Sequence, residues 1–429
     1  MSFPRPAAAA AVSLALVFAL TACGRSDAPS GPAESGAPID DSPASGQIDV
    51  WAMGTEGELL PELVQQFEAD NPDATVRVTA VPWQDYANKI QTAIASGATP
   101  DATMIGASDV ASFAATGGLE PVPEGLADTS DVYPGAVEAS MYSDQAYAVP
   151  WYVETRSLFY RKDLAQAAGV EAPKTWNEFL SFAEAMQTGG GAEWGYSIFT
   201  GATGTWNYAL PYFWQAGASL LSEDGGSYRF DSPEALEGME YYASLFESGV
   251  ADPNGPVTLG EVEPKFVSGE VASFVSGPWE IGLLEDAGGS EFLDESVGIV
   301  PLPAGPKSNA GSIGGGSWSV FQDADNRDGA WKFVRWLGEQ SSQESWFDIS
   351  GDLPARQDAW ATGALADDPY LAVFREQLES ATPAPPTTTW VQVSAVVDKE
   401  FEKVAKGQSS PEDALKTIQT QADKIGTGQ

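Results

Sequence analysis

From residue 48 onward the apolar positions change period repeatedly. Residues 48–53 form a mostly apolar run with the length of a strand. Leu60, Leu63, Val64 and Phe67 then recur at helical spacing. Pro72 ends that helix, and Val76, Val78 and Ala80 alternate as a second strand. Tyr86, Ile90 and Ile94 mark one face of a second helix, and residues 102–105 form a third short strand. Strand–helix–strand units of this length predict a parallel sheet with right-handed crossovers.

Helical signals dominate the middle and the end of the chain. Thr175-Trp176-Asn177-Glu178 is a capping box. Ser232-Pro233 caps a helix whose inner face is Leu236, Met239, Ala243 and Phe246. Residues 328–339 read as a helix with Ala330, Phe333, Val334 and Leu337 inward, and Ser410-Pro411 starts the last helix. The fold class expected is α/β, with enough chain for two lobes.

The topology also says where chemistry belongs. In open α/β sheets, ligands bind outside the carboxyl ends of the strands. Three polar loops fall there, at residues 54–58, 81–84 and 106–109, which makes Glu56, Gln84 and Asp109 candidates.

The N-terminus is different. Arg5 precedes an apolar run over residues 7–20, followed by small residues and Cys23. About 20 apolar residues are needed to span a bilayer, so a secretory leader over residues 1–22 is the expectation. Leu20-Thr21-Ala22-Cys23 resembles the bacterial lipobox. Cys23 is the only cysteine and has no internal disulfide partner, so lipidation at Cys23 is expected, with two chains sufficient for anchoring. Residues 24–47, rich in Gly, Pro, Ser, Ala and Asp without apolar period, read as a disordered tether.

Composition removes whole classes. A net charge of −40, from 21 basic and 61 acidic residues, repels phosphate backbones and argues against nucleic-acid partners. With no histidine, Ser-His-Asp and Cys-His catalysis and His-ligated zinc are excluded. There is no phosphate-binding GxxxxGK[ST] loop, and the glycine run 311–316 lacks dinucleotide spacing. No cofactor or metal is expected. The enzyme class left open is a glycoside hydrolase working with two carboxylates.

A resemblance enters at residues 147–164. Tyr147-Ala148-Val149-Pro150-Trp151-Tyr152-Val153-Glu154, followed by Leu158-Phe159-Tyr160-Arg161-Lys162-Asp163-Leu164, is similar to the extracellular solute-binding proteins of carbohydrate ABC importers, the maltose-binding type. In the same order come Thr175–Phe179, Phe266–Ala272, Gly277-Pro278-Trp279 and Gly351-Asp352-Leu353-Pro354-Ala355-Arg356, each similar to a family segment. The resemblance covers about residues 48 to 425. It implies a two-lobed periplasmic-binding-protein-like fold with three hinge crossings, here near Val153, Val300 and Leu353, and a ligand cleft between lobes. Lobe one would be 48–153 with 301–352, and lobe two 154–300 with 353–429. It implies a monomeric sugar receptor, lipid-anchored outside the cell membrane, serving the permease subunits of an ABC importer. A di- or oligosaccharide is expected, an α-glucoside such as trehalose or maltose among the options.

Sugars present apolar faces to aromatic rings and hydroxyls to carboxylates, amides and arginine. By similarity, Trp279 and Trp390 are the expected stacking platforms. Trp151 and Glu154 stand at the first hinge, and Asn207 in a polar-aromatic loop beside Trp206. Gly315 and Trp318 belong to a stretch where backbone can approach a hydroxyl or simply turn tightly. Arg356 suits a hinge ion pair or a hydroxyl donor equally.

Overall fold

The expected alternation of strand and helix is present from the first element. Strand β1 (Ser45–Met53) feeds helix α1 (Gly54–Asp70), which returns to β2 (Asp73–Val81). Helix α2 (Tyr86–Ser96) follows, then β3 (Ala102–Gly106). β1 pairs with both β2 and β3 in parallel, in a register that sets Ile48 beside Val76. Alternate residues Ile48, Val50 and Ala52 are fully buried, and α1 covers them with Leu60, Leu63, Val64 and Phe67.

A small hairpin, β4 (Met141–Tyr142) and β5 (Gln145–Ala146), precedes β6 (Val149–Glu154), β7 (Ser157–Arg161), β8 (Ser273–Ser276), β9 (Val297–Val300), β10 (Gly314–Val320) and β11 (Leu353–Pro354). They assemble into two larger sheets. The six-stranded sheet has the order β11-β6-β10-β3-β1-β2, and the three-stranded one β8-β7-β9. β10 runs antiparallel to β3 and β6, so the first sheet is mixed, with its parallel part confined to β1, β2 and β3.

The chain passes between the sheets three times. It leaves the first between Glu154 and Ser157, returns between Val300 and Gly314, and leaves again after Pro354 toward the helix Pro369–Leu378. Each sheet has its own core. One gathers Ile48, Leu63, Trp318, Trp331 and Trp346. Another gathers Phe179, Phe213, Tyr242, Trp390 and Phe401. A third cluster, with Val153, Phe159, Ile299, Ile313 and Leu353, joins residues from the crossings.

The computed structural model describes residues 37–83, 85–201, 204–257 and 260–428, all within the unit Glu34–Gln429. The expected leader, Cys23 and residues 24–36 of the expected tether lie outside the described residues, as does Gln84. The described part of the expected tether, residues 37–47, is packed against the fold, and β1 begins within it at Ser45. Residues 37–44 are strapped onto the helix Arg327–Leu337: Lys332 pairs with Asp40 at 2.6 Å, Arg335 with Asp41 at 3.0 Å, and Arg327 donates to the Ala37 carbonyl at 2.8 Å. Ala44 is buried, its amide donating to Asn71 Oδ1 at 2.7 Å. Composition alone reads this segment as tether because its partners, three cations on one helix, lie almost 300 residues away. Among the described residues, no helix is long and apolar enough to cross a membrane.

Candidate functional site

The carboxyl ends of the first strands converge on a cavity of about 420 Å³, within the roughly 300–1,000 Å³ of small-molecule sites. Glu56, Trp83, Tyr86, Ser108 and Asp109 line it from the β1–β3 side. Tyr152 and Glu154 come from β6, Gly314 and Gly315 from β10, and Trp206 and Asn207 from the helix Trp206–Ala216, which packs in the core of the second sheet.

Glu56 stands in the first turn of α1, immediately after β1. One of its oxygens accepts from the Tyr152 hydroxyl at 2.7 Å and the other from Trp83 Nε1 at 3.4 Å. A single carboxylate therefore fixes two rings of the wall. Trp83 meets Tyr86 edge-on at 5.2 Å. Tyr152 and Glu154 share a face of β6 because strand side chains alternate, and Arg156 Nη1 donates to Glu154 Oε1 at 3.0 Å.

The glycine run on β10 has a steric cause. Gly315 has φ +125°, and a Cβ there would come 2.1 Å from the Tyr152 carbonyl. A Cβ at Gly314 would come 2.5 Å from Glu154 Oε1. A side chain at Gly315 would run into the β6 backbone and one at Gly314 would displace the Glu154 carboxylate, so the tight approach of β6, rather than a turn, is what requires glycine.

The electrostatics are strongly negative. Burial pushes the Asp109 carboxyl up to about 7 from an ordinary 3.8. Asp352, on β11's approach, is also raised to about 7, by burial first and then by the charges of Glu56 and Glu154, although Trp346 Nε1 donates to it at 3.0 Å. No lysine or arginine is among the described residues of the cavity wall. Such a pocket offers acceptors, and protonated acid as a donor, to a neutral polyhydroxylated ligand. Among the described residues no group of acidic side chains is arranged to hold a metal ion.

Asp109 makes a prediction. A carboxyl raised in the fold leaves the folded state holding more protons than the unfolded one between about pH 4 and pH 7, so its ionisation lowers stability as pH rises through that window. Asp109→Asn should therefore melt higher than the parent at pH 7.5 and show little advantage at pH 4. Thermal melts at the two pH values check this, and an equal offset at both would contradict it.

Of the residues singled out from sequence, the structure brings Glu56, Asp109, Glu154, Asn207 and Gly315 together on the cavity wall. Five others sit elsewhere. Trp151 is 1% exposed and stacks on Trp346 at 4.3 Å. It neighbours Tyr152 on β6 and so points to the opposite face, into the core. Trp318 is fully buried against Trp151 and Phe333. Trp390 is 1% exposed and meets Trp206 edge-on at 5.3 Å, so it backs a wall residue rather than forming the wall. Arg356 is committed to Asp358 at 2.5 Å and Asp131 at 3.8 Å, an ion pair beside the third crossing. Trp279 is half-buried beyond the cavity lining, with the Arg156 guanidinium 5.4 Å from its ring. The wall residues not singled out from sequence include three rings, Trp83, Tyr86 and Tyr152, while Trp206 belongs to the polar-aromatic loop that the resemblance marks with Asn207. Trp83 carried a usable signal, since Pro82-Trp83 closes a strand as Pro278-Trp279 does.

Comparison with known proteins gives the family and the fold. The family model described as bacterial extracellular solute-binding protein matches residues 54–344. A maltooligosaccharide ABC transporter solute-binding lipoprotein of Streptococcus pneumoniae is 25% identical over 423 residues, covering 96% of this chain and 94% of its own. The structure of the sugar-binding protein MalE from Xanthomonas citri superposes with a TM-score of 0.82 at 28% identity, covering 89% of this chain and 97% of that one. The GacH receptor of Streptomyces glaucescens, solved unliganded and with acarbose, gives 0.77 at 25% identity, covering 89% and 98%.

Proposed function

This chain belongs to the bacterial extracellular solute-binding protein family, and from that premise we propose that it captures a di- or oligosaccharide between its two sheets and delivers it to the permease of an ABC importer. That it is a sugar-binding receptor of an ABC transporter, and not an enzyme, follows from its relatives and structural neighbours, which are substrate-binding proteins. The finer reading rests on one observation. The cavity of about 420 Å³ combines four rings, Trp83, Tyr86, Tyr152 and Trp206, with the carboxylates Glu56, Asp109 and Glu154 and the amide Asn207. Rings cover sugar faces and carboxylates take hydroxyl protons. Its size and number of rings favour more than one sugar unit, and α-glucosides such as maltose or trehalose are the first substrates to test. A relative that handles maltooligosaccharides supports the same choice.

The two lobes proposed are 48–153 with 301–352 and 154–300 with 353–429, moving about the three crossings to close on the sugar as a hinge. The receptor is proposed to act as a monomer, held outside the cell membrane by lipid on Cys23. Cys23→Ser should then release intact protein into the medium; retention in the membrane fraction equal to the parent would contradict the anchor. A thermal-shift panel of maltose, trehalose, maltotriose and lactose tests the ligand class. A sugar at 100 times its dissociation constant should add about 2.7 kcal/mol of stability, and no shift with any of them would defeat the α-glucoside reading.

A further inference from the structure

Arg156 occupies the first crossing, between Glu154 at the end of β6 and Ser157 at the start of β7. Although it carries a charge, only 6% of the residue is exposed. Its Nη1 donates to Glu154 Oε1 at 3.0 Å. Its guanidinium lies 5.2 Å from the Tyr208 ring and 5.4 Å from the Trp279 ring. Nε is buried without a protein partner. It borders an enclosed space of about 30 Å³ that Asn207 and Tyr208 also line, and Asn207 faces the larger cavity as well.

A buried cation persists only where charge and geometry compensate its lost hydration. Here one carboxylate and two ring faces do so. The partner is not an arbitrary carboxylate: Glu154 lies on the cavity wall, with Gly314 packed close to the same Oε1 that Arg156 holds. The two rings come from the other sheet's side of the crossing, Tyr208 in the helix Trp206–Ala216 and Trp279 just before the helix Glu280–Gly288.

We propose that Arg156 is a positioning residue for sugar capture: it holds the Glu154 carboxylate on the cavity wall and links it to the Tyr208–Trp279 pair across the crossing. The link passes a hydroxyl bond made by Glu154 to the elements that must move on closure. It rests on the reading of the cavity as a sugar site. It also gives Trp279 a role without sugar contact, as one jaw of a clamp on the guanidinium.

The test is a double-mutant cycle read by calorimetric titration with maltotriose. Arg156→Met should weaken binding at least tenfold. Arg156→Met combined with Glu154→Gln should bind no more weakly than the weaker single variant, because both act through one carboxylate. Additive losses would mean that Arg156 meets the sugar itself, and parental affinity in Arg156→Met would mean it has no part; either overturns the proposal. Arg156→Lys keeps the charge but loses the planar fork. It should recover part of the affinity, and it takes the place of the methionine variant in the cycle if that variant does not fold. A sugar-free arm measures acrylamide quenching of Trp279, as the difference between each protein and its Trp279→Phe derivative. Quenching should rise when Arg156 is replaced, and unchanged quenching overturns the clamp. If the parent protein does not bind maltotriose, the α-glucoside reading fails by itself and the quenching arm decides for or against Arg156.

Discussion

Glu56→Ala is expected to weaken sugar binding by about a hundredfold while the ligand-free melting temperature changes little. Two losses combine. A charge-assisted hydrogen bond to a sugar hydroxyl contributes about 1.5–3 kcal/mol. The same carboxylate anchors the Tyr152 hydroxyl at 2.7 Å and Trp83 Nε1 at 3.4 Å, so its removal frees both rings. An ordered aromatic contact adds about 0.5–1.5 kcal/mol, and about 1.4 kcal/mol is one decade in affinity. Stability should change little, because the two lost hydrogen bonds are offset by relief of the repulsion that helps push Asp352 up to about 7. Calorimetric titration and thermal melting of the one variant check both halves. Affinity within threefold of the parent would place Glu56 outside the binding machinery.

Trp151→Ala should do the reverse: a large loss of stability with affinity in the folded fraction nearly unchanged. The indole is 1% exposed, stacked on Trp346 and edge-on to Trp318, between the first sheet and the helix Gln340–Ser350. Truncating a tryptophan in such a core costs about 3–5 kcal/mol. The ligand-free melting temperature should fall by several degrees, and titration below that temperature should give a dissociation constant within threefold of the parent. A lost affinity with an unchanged melt would put the indole on the sugar instead.

The contrast between Trp151 and its neighbour Tyr152 shows where sequence reading reaches its limit. The strand β6, picked out by resemblance, is mostly apolar on both faces, so hydrophobic pattern does not set its phase. One residue of phase separates a core tryptophan from a tyrosine on the cavity wall. On β10 the alternation Ser317-Trp318-Ser319-Val320 puts Trp318 on the apolar face, which the structure buries. Glu56 and Asp109 were readable for a different reason. They follow strands whose direction and partner helices are plain in the pattern, and the edge of an open α/β sheet fixes what such loops face. Glu154 and Asn207 came by resemblance to a family, and the structure brings both to the wall.

The remaining placements turn on context that spacing does not carry. Arg356 is open by sequence between a hinge ion pair and a hydroxyl donor, and the structure pairs it with Asp358 and Asp131 beside the third crossing. Trp390 opens a helix after a proline-rich loop, a setting that suits an exposed platform, but Trp206, a wall residue, comes between it and the cavity. Residues 37–44 read as tether because their small, polar composition has no apolar period, and the cations that hold them belong to the helix Arg327–Leu337. In each case the deciding partner is set by tertiary packing rather than by local pattern.

The most direct test of sugar capture at this site is a crystal structure of the protein with the panel sugar that stabilises it most. The sugar should be intact, with a ring face against Trp83 or Trp206 and hydroxyls donating to Glu56 and Glu154. A sugar bound outside the cavity lined by these residues, or one found cleaved within it, would contradict a receptor that binds there.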